Sequence, residues 1–307
     1  MKTVDYIYRF EPGNPTAKPV PPTAEFARKT LEQGNQMFAE WMENCQHGSA
    51  AEGDDSCYVV PCNGYEVGMV RSKSALPHHS PFAVVVGCSD ARVPTEMLFG
   101  QGFNDLFVIR VAGNVLGDEC QGSIDYALGA LSDSVKVIVM LGHSGCGAVT
   151  GAVDAYLNPI LFWSKSTTLM TRSILQRIFS AVREAANGLE TVWGQEVRDL
   201  PGYREALIDA SVAINAAQAS YNLHLEVERA GKWEIEVVYG VFNLFNHRVA
   251  APGAKDGAQN GAAHLAHAPT NPREFKTLAL ELAEALRPKL FQDSLRRAEH
   301  QPVVERS

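Results

Sequence analysis

Three stretches constrain the fold of this chain more than anything else in it: FAVVVG at 82–87, LFVIRV at 106–111 and VKVIVML at 135–141. Each is short, rich in β-branched residues and almost unbroken in apolar character, with no polar alternation to mark a solvent face. Strands buried on both faces read this way, and they belong to parallel sheets whose crossover helices cover both sides. Between the second and third runs lies QGSIDYALGALSD (121–133), whose helical spacing supplies one such crossover. A fourth run, WEIEVVYGVF (233–242), follows a long helical region from 173 to 230, expected to break near Gly188 and at Pro201-Gly202. The predicted fold class is α/β, a mainly parallel β-sheet flanked by helices.

The flanks differ from this centre. Residues 1–22 are Pro-rich, lack periodicity and read as an irregular arm. From Thr23 to about Cys45, the stripe Phe26, Leu31, Met37, Phe38 and Trp41 predicts an N-terminal amphipathic helix. Residues 47–80 read as loop, with a hairpin around VVPCNGYEVGMV as one option, and Cys57 and Cys62 beside its turn read as plain thiols that oxidation could pair. Past the last apolar run, residues 251–271 read as a Gly/Ala-rich linker. A C-terminal helical extension, 272–307, carries one more amphipathic helix from Pro272 to about Arg297. It could dock on its own body, on another subunit or on a separate partner, and the sequence leaves these open.

Composition narrows the function classes. A net charge of −8 with no Lys/Arg block speaks against nucleic acid as a partner. No apolar run reaches the roughly 18 residues that cross a bilayer, so no membrane partner is expected. The opening MKTVDYIYRFEPGNP lacks the basic end and apolar stretch of a secretory signal, and a cytoplasmic location is expected. Six cysteines in a long chain of that kind favour metal or redox roles over a disulfide framework.

Chemistry concentrates where the buried strands end. In doubly wound sheets, functional groups collect just past the carboxyl ends of the strands. The first run delivers Cys88, Asp90 and Arg92 there (GCSDAR), and the third delivers His143 and Cys146 (GHSGCGAV), with Gly145 and Gly147 in the turn. If the two strands are neighbours, two thiols, an imidazole and a carboxylate converge, a donor set that suits tetrahedral Zn²⁺. Either motif alone is weak. Together, each at a predicted strand end, they are a strong signal.

CSDAR with HSGCGA resembles the β-class carbonic anhydrases, whose motifs are usually CSDSR and HxxCG. LEQGNQMF (31–38), DLFVIRVAGNV (105–115), SIDYAL (123–128) and VVYGVFNLFNHRV (237–249) also resemble family segments, so the likeness spans roughly residues 23–250. It implies one zinc per chain, held by Cys88, His143 and Cys146, and reversible hydration of CO2 to bicarbonate and a proton. It implies Phe107 and Tyr126 lining an apolar CO2 pocket, with His79 near a bicarbonate oxygen. It also implies a homodimer or dimer of dimers, with the site at the subunit interface and the N-terminal helix wrapping the partner. Asp105, Arg110 and Asn114 are expected to hold the sheet edge and subunit contacts. Three departures stand out: Ala91 for the usual Ser, Val111 for a common Asn, and His79 where many members carry Gln.

Charge counting suggests how such a site would work. Two thiolates and a neutral His bring a Zn²⁺ site to zero formal charge; Asp90 as fourth ligand would close it, as in structural zinc sites. Catalysis therefore requires Asp90 off the metal, and Arg92 is the partner that can hold it in a charge-assisted fork. The fourth position then takes water, whose pKa zinc lowers toward neutrality, supplying hydroxide for attack on CO2. Two alternatives stay open: a COS or CS2 hydrolase on the same scaffold, and a non-catalytic, zinc-bound bicarbonate-sensing protein in which Asp90 never leaves the metal.

Overall fold

The apolar runs become adjacent strands of one sheet. The structure, a computed structural model, describes residues 4–10, 20–47, 57–62, 77–164, 167–251 and 264–291. In chain order the elements are β1 (Asp5–Phe10), α1 (Ala24–His47), β2 (Cys57–Cys62), β3 (Ala83–Gly87), α2 (Thr95–Leu98), β4 (Leu106–Arg110), α3 (Asp118–Ala130), β5 (Val137–His143), α4 (Gly147–Leu157), α5 (Leu169–Trp193), α6 (Tyr203–Arg229), β6 (Glu236–Phe242), β7 (Val249–Ala250), β8 (Ala266–His267), α7 (Arg273–Ala285) and α8 (Arg287–Leu290). The main sheet has the order β4-β3-β5-β6-β7, with β8 also on β6. Its four long strands are parallel, while β7 and β8 run antiparallel to β6.

Alternation along the strands divides the core in two. Val84, Val86, Ile138 and Met140 face the layer built from α3 to α7. Ala83, Val85, Val137, Val139 and Leu141 face α1 and β2. Both sides of β3 and β5 are therefore dry, which is why their sequences carry no polar beat. From β3 the chain leaves toward β4; from β5 it leaves the opposite way, toward β6. The diverging connections leave a crevice at the carboxyl ends of β3 and β5, the usual ligand position in open α/β sheets.

Several expectations need correcting. Asp5–Phe10, within the arm read as irregular, is a strand that pairs in parallel with Cys57–Cys62. Aromatic packing holds it: Tyr6 stacks on Tyr58 at 5.2 Å and meets Trp41 edge-on at 6.2 Å. Strand pairing also puts Cys57 and Cys62 at opposite ends of β2, about 16 Å apart, too far for a disulfide. β2 pairs with β1 on one side; the second arm of the hairpin option, 63–70, lies outside the described residues. So do 11–19 of the arm, 252–263 of the linker and 292–297 of the last predicted helix.

The helical region breaks at Gly194 and around Pro201-Gly202, while α5 runs through Gly188. Gly188 serves a close approach instead: a Cβ there would stand 2.6 Å from the Ala279 carbonyl oxygen. The part of the extension that is described docks on its own chain. Leu278, Ala279, Leu282 and Ala283 bury one face of α7 against α5 and α6. Trp193 Nε1 donates to the Ala283 carbonyl at 2.9 Å, and Lys289 pairs with Asp209. The end of the linker is structured too, as β8 with Leu265 buried beside it. Among the described residues, no helix is long and apolar enough to cross a membrane.

Candidate metal centre and active site

Cys88 follows β3 directly, His143 closes β5, and Cys146 caps the N-terminus of α4. Because β3 and β5 pair in register, Gly87 opposite Leu141, their ends lie side by side. The turn between His143 and Cys146 passes through Gly145 in the left-handed region (φ 64°). Cys88, His143 and Cys146 are all buried, and their ligand atoms lie within 4.8 Å of one another.

The donor geometry fits a tetrahedral zinc. Two thiolates at bonds of about 2.3 Å stand roughly 3.8 Å apart on such an ion; the Cys88 and Cys146 sulfurs are 4.0 Å apart, far beyond disulfide length. His143 Nδ1 faces the Ser144 carbonyl oxygen at 3.0 Å, which can only accept, so Nδ1 carries the proton and Nε2 the lone pair. That Nε2 is buried without a hydrogen-bond partner among the described residues. An orphaned acceptor fixed by a bond on the other ring nitrogen is the arrangement of metal-binding histidines.

Electrostatics agree. A thiol hydrogen bond from Cys146, with further ones from the Asp90 and Gly113 backbone N–H groups, outweighs burial and pulls the Cys88 thiol well below its usual range. The same sharing pushes Cys146 up, since a second thiolate so close would meet the first without compensation. The pair thus gives up one proton readily and holds the other until a cation balances both charges. Opposing this, the backbone N–H groups of Ala148 and Val149 at the start of α4 favour the Cys146 thiolate.

Asp90 stands beside the three donors. Its Oδ2 is 3.9 Å from His143 Nε2. Arg92 grips the carboxylate in a fork, Nε to Oδ1 at 2.9 Å and Nη2 to Oδ2 at 2.6 Å, and its backbone N–H adds a bond to Oδ1 at 3.0 Å. This grip holds the Asp90 carboxyl well below the usual carboxylate range.

Residues 83–249, more than half of the chain, match the family model described as carbonic anhydrase. The chain belongs to the β-class carbonic anhydrase family. It is 49% identical over 129 residues to carbonic anhydrase 2 of Mycobacterium tuberculosis strain H37Rv, covering 42% of this chain and 52% of that one. It is 47% identical over 88 residues to a carbonic anhydrase of Mycolicibacterium smegmatis, covering 29% and 42%. The chain thus spans about half the length of the curated relatives it matches. A Coccomyxa β-carbonic anhydrase solved with acetazolamide aligns over 69% of this chain and 81% of that one, at 20% identity and a TM-score of 0.45.

His79, Phe107 and Tyr126 form a row, with ring centroids 6.0 Å apart for the first pair and 6.3 Å for the second. The sheet register does not bring this row to the same chain's metal ligands. Phe107 lies opposite Val84, four residues before Cys88, which is about 13 Å along the strand. Tyr126 is half exposed, and β4 is the sheet edge.

Arg110 does more than hold the sheet edge. Its Nε donates to the Cys88 carbonyl at 3.0 Å and its Nη2 to the Asp90 carbonyl, clamping the turn that carries ligand and carboxylate. Only the last position of β4, beside the end of β3, could have hinted at this. Asp105 accepts from the Gly102 N–H at 2.6 Å, and Asn114 donates to the Met140 sulfur at 3.4 Å. The Gly113 backbone N–H, 3.4 Å from the Cys88 sulfur, had no sequence signal as a site group.

Proposed function

We propose that this chain hydrates CO2 reversibly to bicarbonate and a proton, using one zinc held by Cys88, His143 and Cys146. The observation that carries the reading is the forked Asp90–Arg92 pair. A carboxylate engaged twice by a guanidinium is not free to act as a fourth ligand, which leaves that position for solvent. Bound zinc would supply water acidic enough to ionise near neutral pH. Asp90, held by Arg92, accepts a hydrogen bond from the attacking oxygen and aims its lone pair at carbon. His143, locked by Ser144, keeps Nε2 unprotonated toward the metal. Arg110 fixes the backbone of the turn, so that Asp90 moves only by changing its side-chain partner. Released from Arg92, Asp90 would be free to serve as a fourth ligand, which would close the site to solvent.

The substrate pocket would be completed by a second copy. Two β4 edges meeting across a two-fold axis must run antiparallel. The row His79, Phe107 and Tyr126 then lies toward the other chain's crevice, with Phe107 and Tyr126 as its apolar wall and His79 as donor to a bicarbonate oxygen. The β4 edge, unpaired among the described residues, and the half-exposed Tyr126 support this dimer.

Zinc content and CO2 hydration, measured in the wild type and Arg92→Ala, test the reading. The wild type should carry about one zinc per chain and be active; Arg92→Ala should keep its zinc and lose about 100-fold or more in rate. Equal, negligible activity in both would turn the site into a structural one, and faster turnover of COS than of CO2 would redirect the substrate.

A further inference from the structure

Asn215 lies in the middle of α6, buried among Ala213, Ile214, Ala216 and Ala217. A carboxamide on such a face costs stability unless it is hydrogen-bonded. Its Nδ2 donates to the Gly113 carbonyl at 3.0 Å. Gly113 sits in the short 3-10 turn Ala112–Asn114 that follows β4, and its own N–H points at the Cys88 sulfur at 3.4 Å. That turn depends on glycine: its φ is +68°, and a Cβ would come within 2.9 Å of Ile178 Cδ1 and 3.0 Å of Ala148 Cβ. The N–H belongs to the Ala112–Gly113 peptide and the carbonyl to the Gly113–Asn114 peptide, joined through the two Gly113 torsions, which a residue without Cβ leaves soft. Asn215, more than 100 residues later in the chain, anchors the far peptide and so restrains the near one.

A hydrogen bond to a thiolate withdraws charge from sulfur and weakens what that sulfur donates to a metal. We propose that Asn215 is a positioning residue of the metal centre: by holding the Gly113 carbonyl it aims the Gly113 N–H at Cys88 and sets how much charge that thiolate gives to a bound ion. The inference rests on the zinc reading above and concerns a residue that touches neither metal nor substrate.

Cobalt(II), loaded in place of zinc into the full chain, reports the charge on its sulfur ligands through the thiolate-to-cobalt absorption band. Asn215→Asp keeps the shape and loses the donor, and Asn215→Ser removes the arm should the first variant fail to fold. In either, Cys88 would give more charge to the ion, so the band should move to lower energy. The control is Asn35→Leu, on α1 across the sheet, which removes buried bonds to the Leu98 and His247 carbonyls. It should lower stability and leave the band at its wild-type energy. An unmoved band in both Asn215 variants, or an equal movement in Asn35→Leu, would overturn the inference while leaving the metal site intact. A wild type that binds cobalt without a thiolate band would overturn the metal reading itself and this inference with it.

Discussion

Gly188→Ala tests how the C-terminal extension is held, because two effects of known size oppose each other there. In a helix interior facing solvent, alanine is favoured over glycine by about 1 kcal/mol. In this structure the added Cβ would stand 2.6 Å from the Ala279 oxygen, 2.8 Å from its carbonyl carbon and 2.8 Å from its Cβ. Two of those three atoms are backbone and cannot rotate away. Restoring ordinary contact requires α7 to retreat by about 0.8 Å, and a gap of that size forfeits a quarter to a half of each dispersion contact along the seam. Overpacking of this kind costs about 1–3 kcal/mol, so the clash outweighs propensity and the full chain should lose roughly 1–2 kcal/mol. Urea titration followed by far-UV circular dichroism reads this directly. The same substitution in a chain ending at Asn271 should reverse sign and stabilise by about 1 kcal/mol, because nothing is left to clash with. Stabilisation by that amount in the full chain would refute the docking of α7 on α5.

Other measurements probe the site and the core. CO2 hydration should rise with pH and reach half its maximum above about pH 7, because thiolates donate more charge to zinc than the three imidazoles that bring bound water to about 7; a flat profile from about pH 6 to 9 would contradict it. Burial pushes Tyr58, Tyr203 and Tyr239 up to about 12. A raised folded pKa leaves stability intact below about pH 10 and removes it between about 10 and 12, by roughly 2–3 kcal/mol per tyrosine. Burial raises Tyr6 and Tyr8 as well, so absorbance of ionised tyrosine should lag for five of the nine and rise together with unfolding; ionisation of all nine near pH 10 with the fold intact would refute it. Tyr203→Phe removes a buried hydroxyl with no partner among the described residues, so it should cost little at pH 7 and move alkaline unfolding upward. Sedimentation should give twice the 33.4 kDa chain mass or an even multiple of it, and a fully active monomer would refute the shared pocket.

Much of the site was legible because its chemistry is local. Cys88, Asp90 and Arg92 share one turn, and His143 and Cys146 share another; each follows a run whose unbroken apolar character marks a doubly covered strand. Once β3 and β5 are neighbours, the residues just past their ends must meet. The fork between Asp90 and Arg92 is likewise a short-range fact, two residues apart at a strand end. Groups whose role depends on distant partners were not legible. Arg110 looks like an edge residue until its guanidinium is seen on the carbonyls of the neighbouring turn, and Asn215 looks like a polar accident in an alanine-rich helix.

The same division runs through the fold. By itself, the sequence determined an α/β sheet with a metal-competent pair of turns, since period and strand-end chemistry are properties of a few consecutive residues. Only the tertiary structure decided that DYIYRF becomes a strand, because its pairing partner is about 50 residues away and aromatic stacking outweighs its proline-rich surroundings. It decided that Gly188 is a contact point instead of a break, because backbone approach from α7 leaves no trace in the sequence of α5. It also decided where the extension goes: an amphipathic stripe states that a face must be buried, and only the matching apolar surface on α5 and α6 says against what.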